Sequence, residues 1–185
     1  MTLSGKIASI DPSRTAIIGR DAAISYGDLV SRAGSCAPAA AGARVFVNLR
    51  DLTSAVTTLL ALDGVADEIA VTSAWQERES VRPLLGRSSF DAVICDVAAD
   101  FADSAKDMQV FEGVAQFAAD YRPSGQVQAS GPVQTRWLLT TSGTTGQPKM
   151  VSHNLDSLTR STRTDPKRGE TQIWGMLYDY SRFAG

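Results

Sequence analysis

Between residues 43 and 97 the chain alternates short apolar runs with helix-patterned segments, and this alternation narrows its fold more than any other feature. Residues 43–49 (A-R-V-F-V-N-L) alternate like a strand, and residues 53–62 place Val56, Leu59 and Leu60 on one helical face that stops at Gly64. The pattern then repeats as a strand at 68–71, a helix at 74–85 and a strand at 90–97 (F-D-A-V-I-C-D-V). Parallel neighbours need long crossovers, and helices supply them, so the spacing predicts an α/β fold with a mostly parallel sheet flanked by helices. Upstream, residues 15–18 read as a strand, Arg20 and Asp21 as a turn, and residues 24–26 as the approach to a helix. Ser25 with Asp28 resembles a capping box there, and Tyr26, Leu29, Val30, Ala33, Cys36 and Ala37 follow at helical spacing until Pro38.

Downstream, residues 110–119 predict a helix with Phe111, Val114, Ala115 and Ala118 on one side. Residues 122–136 contain Pro123, Gly125, Gly131 and Pro132 and read as a loop or linker. A strand at 137–139, a helix at 153–162 and a last strand at 171–178 complete the expectation. The chain is thus read as one unit, 1–185, with βαβ repeats over 1–121, the linker, and a final section over 137–185. Trp75 and Trp174 are expected to pack.

With 43% hydrophobic and 21% charged residues over 185 positions, the chain has enough apolar content for one ordinary core. A net charge of −2 gives no electrostatic reason to expect nucleic acid or an anionic membrane as partner. Arg160, Arg163, Lys167 and Arg168 are interrupted by Asp165 and followed by Glu170, the pattern of a solvated loop. Cys36 and Cys95 lie inside apolar stretches as free thiols do, and a single histidine, His153, leaves no set of zinc ligands. No run of about 18 apolar residues and no signal-peptide pattern is present, so the expected location is the cytosol.

The chemistry is concentrated in Thr140-Thr141-Ser142-Gly143-Thr144-Thr145-Gly146-Gln147-Pro148-Lys149, which follows the apolar run Trp137-Leu138-Leu139. Glycines let backbone N–H groups turn inward, hydroxyls add donors, and the lysine brings positive charge, a combination suited to a polyphosphate. The Walker pattern does not fit, because Pro148 precedes Lys149 and Met150 follows it.

From Thr141 to Lys149 the segment matches [ST]-[ST]-G-[ST]-T-G-x-P-K at every specified position, and so resembles the signature of the AMP-forming adenylating enzymes. That group includes acyl- and aryl-CoA ligases, nonribosomal peptide adenylation domains and luciferase. Residues 24–29 (I-S-Y-G-D-L) resemble the family's "TYxEL" opening, Val151-Ser152-His153 its V-x-H variant after the lysine, and residues 178–185 its entry to the acid pocket. Met150 departs from the commoner glycine.

The resemblance implies the first part of the family's large N-terminal domain. Thr141, Ser142, Gly143, Thr144, Thr145, Gly146 and Lys149 would hold the β- and γ-phosphates of ATP, with Mg²⁺ bridging phosphate oxygens and no protein metal ligands assigned. The substrates implied are a small organic acid and CoA or a carrier thiol. Tyr180 and Arg182 would line the acid pocket. His153 has two open readings, a contact to nucleotide or acid and a structural residue near a helix start. A hydrolase triad of Ser142, His153 and Asp156 lacks the G-x-S-x-G elbow. The family's adenine segment, ribose aspartate, hinge and catalytic lysine have no counterpart here, so no catalytic residue is assigned and the isolated chain is expected not to turn over. The alternative is a truncated or split module without catalysis, which binds nucleotide weakly or pairs with a second chain that supplies the missing half.

Overall fold

Six strands form the central sheet in the order β6-β5-β3-β4-β7-β8 in the computed structural model, which describes residues 2–19, 22–72, 75, 78–86, 89–123, 133–141, 148–162, 172–173, 175–176 and 179–181. They are β3 (Arg44–Asn48), β4 (Glu68–Val71), β5 (Ala92–Cys95), β6 (Gln109–Glu112), β7 (Arg136–Thr141) and β8 (Lys149–His153). β6, β5, β3, β4 and β7 are parallel, and β8 returns antiparallel to β7. A separate antiparallel pair, β1 (Thr15–Ile18) and β2 (Ala23–Ser25), precedes them. The helices are α1 (Leu3–Ile7), α2 (Tyr26–Cys36), α3 (Leu52–Leu62), α4 (Arg78–Leu85), α5 (Gly113–Asp120) and α6 (Leu155–Thr159). The α/β class and its mostly parallel sheet are therefore as the alternation implied.

Both faces of the sheet are covered. Val45, Val47, Ile69, Val71, Ile94 and Leu139 point to one face, packed with Leu62, Phe117 and Tyr121. Phe46, Ala70, Val93, Cys95 and Leu138 point to the other, against Val81, Leu84 and Leu85 of α4 with Phe90 and Phe101. Double coverage explains why β3 does not alternate as expected: Val45, Phe46 and Val47 are all fully buried, the continuous apolar run of a central parallel strand. Helix α2 starts where its cap predicted, with the Asp28 N–H donating to Ser25 Oγ and the Ser25 hydroxyl donating back to the Asp28 carboxylate. Its Leu29, Ala33 and Cys36 pack against Leu60 and Ala61 of α3. Both cysteines are buried and free, and burial pushes the Cys95 thiol up to about 12.

Several expectations change. Residues 110–119 are divided between strand β6 and helix α5, because Phe111 packs in the sheet beside Phe117 and Tyr121 and Gly113 turns the chain at φ 78°. Phe111 and Val114 satisfied a helical spacing while belonging to different elements. Residues 149–153 form strand β8, whose Lys149, Val151 and Ser152 are exposed, so little apolar signal marked it. The helix placed at 153–162 is α6, which starts after an Asn154–Ser157 capping box. In the stretch 171–178, residues 172, 173, 175 and 176 are in no strand, and Ile173 is 84% exposed. Trp75 does not pack: it is 75% exposed with the Arg50 guanidinium 5.5 Å from its ring. The Arg20-Asp21 turn, Trp174 and most of the 122–136 linker lie outside the described residues.

At the amino ends of the strands Asp63 ties three segments together. Its carboxylate follows α3, accepts the Leu3 N–H at 2.6 Å and accepts the Trp137 indole N–H at 3.2 Å. Burial raises the Asp63 pKa against these two bonds, so the folded chain holds this proton more tightly than the unfolded one. Its contribution to stability is accordingly fully present below the ordinary aspartate value and is lost as pH rises through the raised value. Urea titrations of wild type and Asp63→Asn across that window are expected to show a falling Asp63-dependent component with rising pH in wild type alone. A component that grows with pH would show that the two hydrogen bonds, rather than burial, dominate.

Candidate functional site

In an open α/β sheet, ligands bind beyond the carboxyl ends of parallel strands, where neighbouring connections leave in opposite directions. β4 and β7 are such neighbours. The chain leaves β4 toward α4 and β5 on one side, and leaves β7 toward β8 on the other. Thr141 ends β7 and pairs with Lys149, which begins β8, and the Thr141 hydroxyl donates to the Lys149 carbonyl at 3.5 Å. Thr141 and Lys149 are therefore the last rung of the β7–β8 pair, at the carboxyl edge of the sheet and beside the β4–β7 crevice. Thr141 and Lys149 are both exposed there, a hydroxyl and an ammonium available to an anion. Ser142, Gly143, Thr144, Thr145 and Gly146 lie outside the described residues.

Tyr180 reaches the same edge. Its hydroxyl donates to the Leu49 carbonyl at 2.5 Å, just past β3, and its ring packs against the larger core cluster. Burial raises this phenol well above its ordinary value, so it is a neutral donor at any physiological pH. Arg182 lies outside the described residues.

His153 is placed elsewhere. It ends β8 opposite Trp137, four strand steps or about 13 Å from Lys149 along the strand, at the amino edge of the sheet. There it is half-buried in an open cleft of about 470 Å³ with Gln134, Arg136, Ser152, Asn154 and Ser157, its Nδ1 3.5 Å from Ser157 Oγ. Asp156 lines a different hollow with Thr2 and Asp63. The structure thus joins Thr141, Lys149 and Tyr180 at one edge and separates His153 from them.

One feature of the carboxyl edge went unread in the sequence. Asn48 ends β3, Thr72 directly follows β4 and Thr140 is the penultimate residue of β7, and the register continued by one residue sets them side by side on the α4 side. The Asn48 amide donates to Thr72 Oγ1 at 2.9 Å, and the Thr72 hydroxyl donates to the Val47 carbonyl at 3.2 Å. The signal was available: three threonine or asparagine side chains immediately after runs of buried aliphatics. Among the described residues no group of three or more His, Cys, Asp and Glu is arranged to hold a metal, and no helix is long and apolar enough to cross a membrane.

Solved structures share this architecture. o-Succinylbenzoate CoA synthetase (MenE) from Bacillus subtilis, in complex with the acyl-adenylate intermediate OSB-AMP, superposes with a TM-score of 0.64 at 17% identity, over 85% of this chain and 43% of that one. The N-terminal subdomain of Klebsiella oxytoca NpsA, in complex with 3-hydroxybenzoyl-AMSN, gives 0.64 at 19% identity over 84% and 41%. Apo MatB from Rhodopseudomonas palustris gives 0.62 at 22% identity over 82% and 34%. The chain has the fold of the adenylate-forming ligases. It spans 34–43% of the length of these structures, which matches the first part of the large N-terminal domain of the adenylate-forming fold. No family model and no curated protein sequence matches it.

Proposed function

We propose that this chain is the phosphate-holding part of an ATP-dependent, AMP-forming carboxylate ligase, which activates a small organic acid as its acyl-adenylate for transfer to CoA or a carrier thiol. The observation that carries this reading is the Thr141–Lys149 rung. The two described ends of the Ser/Thr/Gly signature, Thr141 and Lys149, pair at the carboxyl edge of the parallel sheet, next to the β4–β7 crevice, in an adenylate-forming fold.

In carboxylate adenylation a weak nucleophile attacks the α-phosphorus while pyrophosphate departs. Holding the polyphosphate in line and neutralising its developing charge are therefore the main demands on the protein. Thr141, Ser142, Gly143, Thr144, Thr145 and Gly146 supply donors to the β- and γ-phosphates, and Lys149 supplies charge. Mg²⁺ arriving with the nucleotide would supply further neutralisation of the phosphate charge. Tyr180, at the carboxyl edge, and Arg182 belong with the acid. His153, at the amino edge, takes the structural role in this proposal.

The test is ATP–pyrophosphate exchange over a panel of organic acids. The 185-residue chain is expected to bind Mg²⁺-ATP and to catalyse no exchange, whereas a protein that continues it with a complete adenylate-forming domain is expected to exchange with at least one acid. Exchange by the 185-residue chain alone would overturn its assignment as the phosphate-holding part. Failure of the chain to bind Mg²⁺-ATP would overturn the site.

A further inference from the structure

One hydroxyl at the carboxyl edge is buried without a hydrogen bond. Thr140 is 2% exposed, and its Oγ1 has no partner. Its neighbours in the cross-strand row do not serve it, since the Thr72 hydroxyl already donates to Val47 and accepts from Asn48, and Met150, opposite on β8, offers only a thioether. Three of the other buried threonines differ: Thr58, Thr72 and Thr135 each donate to a backbone carbonyl, of Ser54, Val47 and Ala66. Desolvating a hydroxyl without replacing its bonds to water costs stability, and valine would fill the same shape on a strand without that cost.

The location of such groups is also uneven. Among the described residues the other buried hydroxyl without a partner is that of Ser181, beside Tyr180, whose own hydroxyl holds the carboxyl end of β3. The remaining unbonded buried atom belongs to Glu68 at the amino end, and that carboxylate is charge-paired with Arg136. Unsatisfied hydroxyls therefore occur on the edge that carries the candidate site.

Resting on the function proposed above, we propose that Thr140 is a positioning residue for the polyphosphate: its hydroxyl is hydrogen-bonded only in the ligand-bound protein, where it fixes the end of β7 that carries Thr141. A ligand shifts a protein between two states only by interacting differently with them. A bond that is absent in the free chain and present in the complex is such a difference, and it adds directly to affinity.

Thr140→Val and Thr140→Ser in the 185-residue chain test this with two measurements of opposite sign. Without ligand, Thr140→Val is expected to melt higher than wild type by about 3 °C or more, because an unmet polar group is removed. By calorimetry with Mg²⁺-tripolyphosphate it is expected to bind about tenfold more weakly, the loss of about one hydrogen bond's worth of differential binding. Thr140→Ser is expected to restore wild-type affinity. A Thr140→Val chain that melts no higher than wild type, or that binds tripolyphosphate as tightly, overturns the proposal. If wild type itself binds no tripolyphosphate, the functional reading fails and this inference fails with it. Binding by wild type that Thr140→Val leaves untouched removes only the role of Thr140.

Discussion

Replacing Thr144, Thr145 and Lys149 together by alanine is expected to weaken binding of Mg²⁺-tripolyphosphate by about a hundredfold or more, with little change in melting temperature. Hydrogen bonds to a charged group contribute about 1.5–3 kcal/mol each, and about 1.4 kcal/mol is a factor of ten in affinity. Three such contacts, with Lys149 discounted because it is exposed and screened, still amount to two decades. Stability should hold, because among the described residues the Lys149 ammonium makes no ion pair or hydrogen bond, and its rung with Thr141 is a backbone pairing. In a protein that completes the domain, ATP–pyrophosphate exchange is expected to fall at least as far. Exchange that survives the triple replacement would detach the signature from the chemistry assigned to it.

The largest expected effect on stability comes from Phe46→Ala. Phe46 is fully buried at the middle of β3, facing α4, with the rings of Phe90 at 5.4 Å and Phe101 at 6.2 Å in edge-to-face contact. Truncating a core phenylalanine costs about 3–5 kcal/mol, from lost burial and from the cavity left behind. Domains of this kind have about 5–15 kcal/mol in total, so the variant is expected to unfold at a much lower urea concentration, or to be largely unfolded in buffer. Phe46→Leu keeps most of the volume and is expected to lose far less. A Phe46→Ala chain that loses under about 1 kcal/mol would mean that α4 closes over the gap.

How much of this could be read from residues alone depended on whether a segment's burial was symmetric. β4, α3 and the start of α2 were legible because their apolar spacing and caps, Ser25 above all, are local signals that the tertiary structure leaves in place. β6 was hidden because Phe111 sits in phase with the helix that follows, and only pairing with β5 separates the two. β8 was hidden because an edge strand with one face in solvent needs few apolar residues, and Met150 alone marks its inward side. The anchor of the candidate site was legible for a different reason, since its chemistry is written in consecutive residues. Tyr180 meeting Leu49, and Asn48 meeting Thr72, are contacts between distant segments that no local pattern encodes. The separation of His153 from the loop follows from the antiparallel return of β8, which carries nearby residues to opposite ends of the sheet.

The position of β7 between β4 and β8 has a consequence for how the molecule is made. When the ribosome has released only the first 121 residues, β6, β5, β3 and β4 can already associate, and β4 is then an open border with unmet N–H and C=O groups. Only the arrival of β7, from far along the chain, closes that border and brings Thr140 beside Thr72 in the same stroke. A nascent or clipped chain lacking β7 would therefore be sticky, and under the proposed function it would also lack its grip on phosphate, so that binding competence and protection from aggregation would be acquired in one docking event.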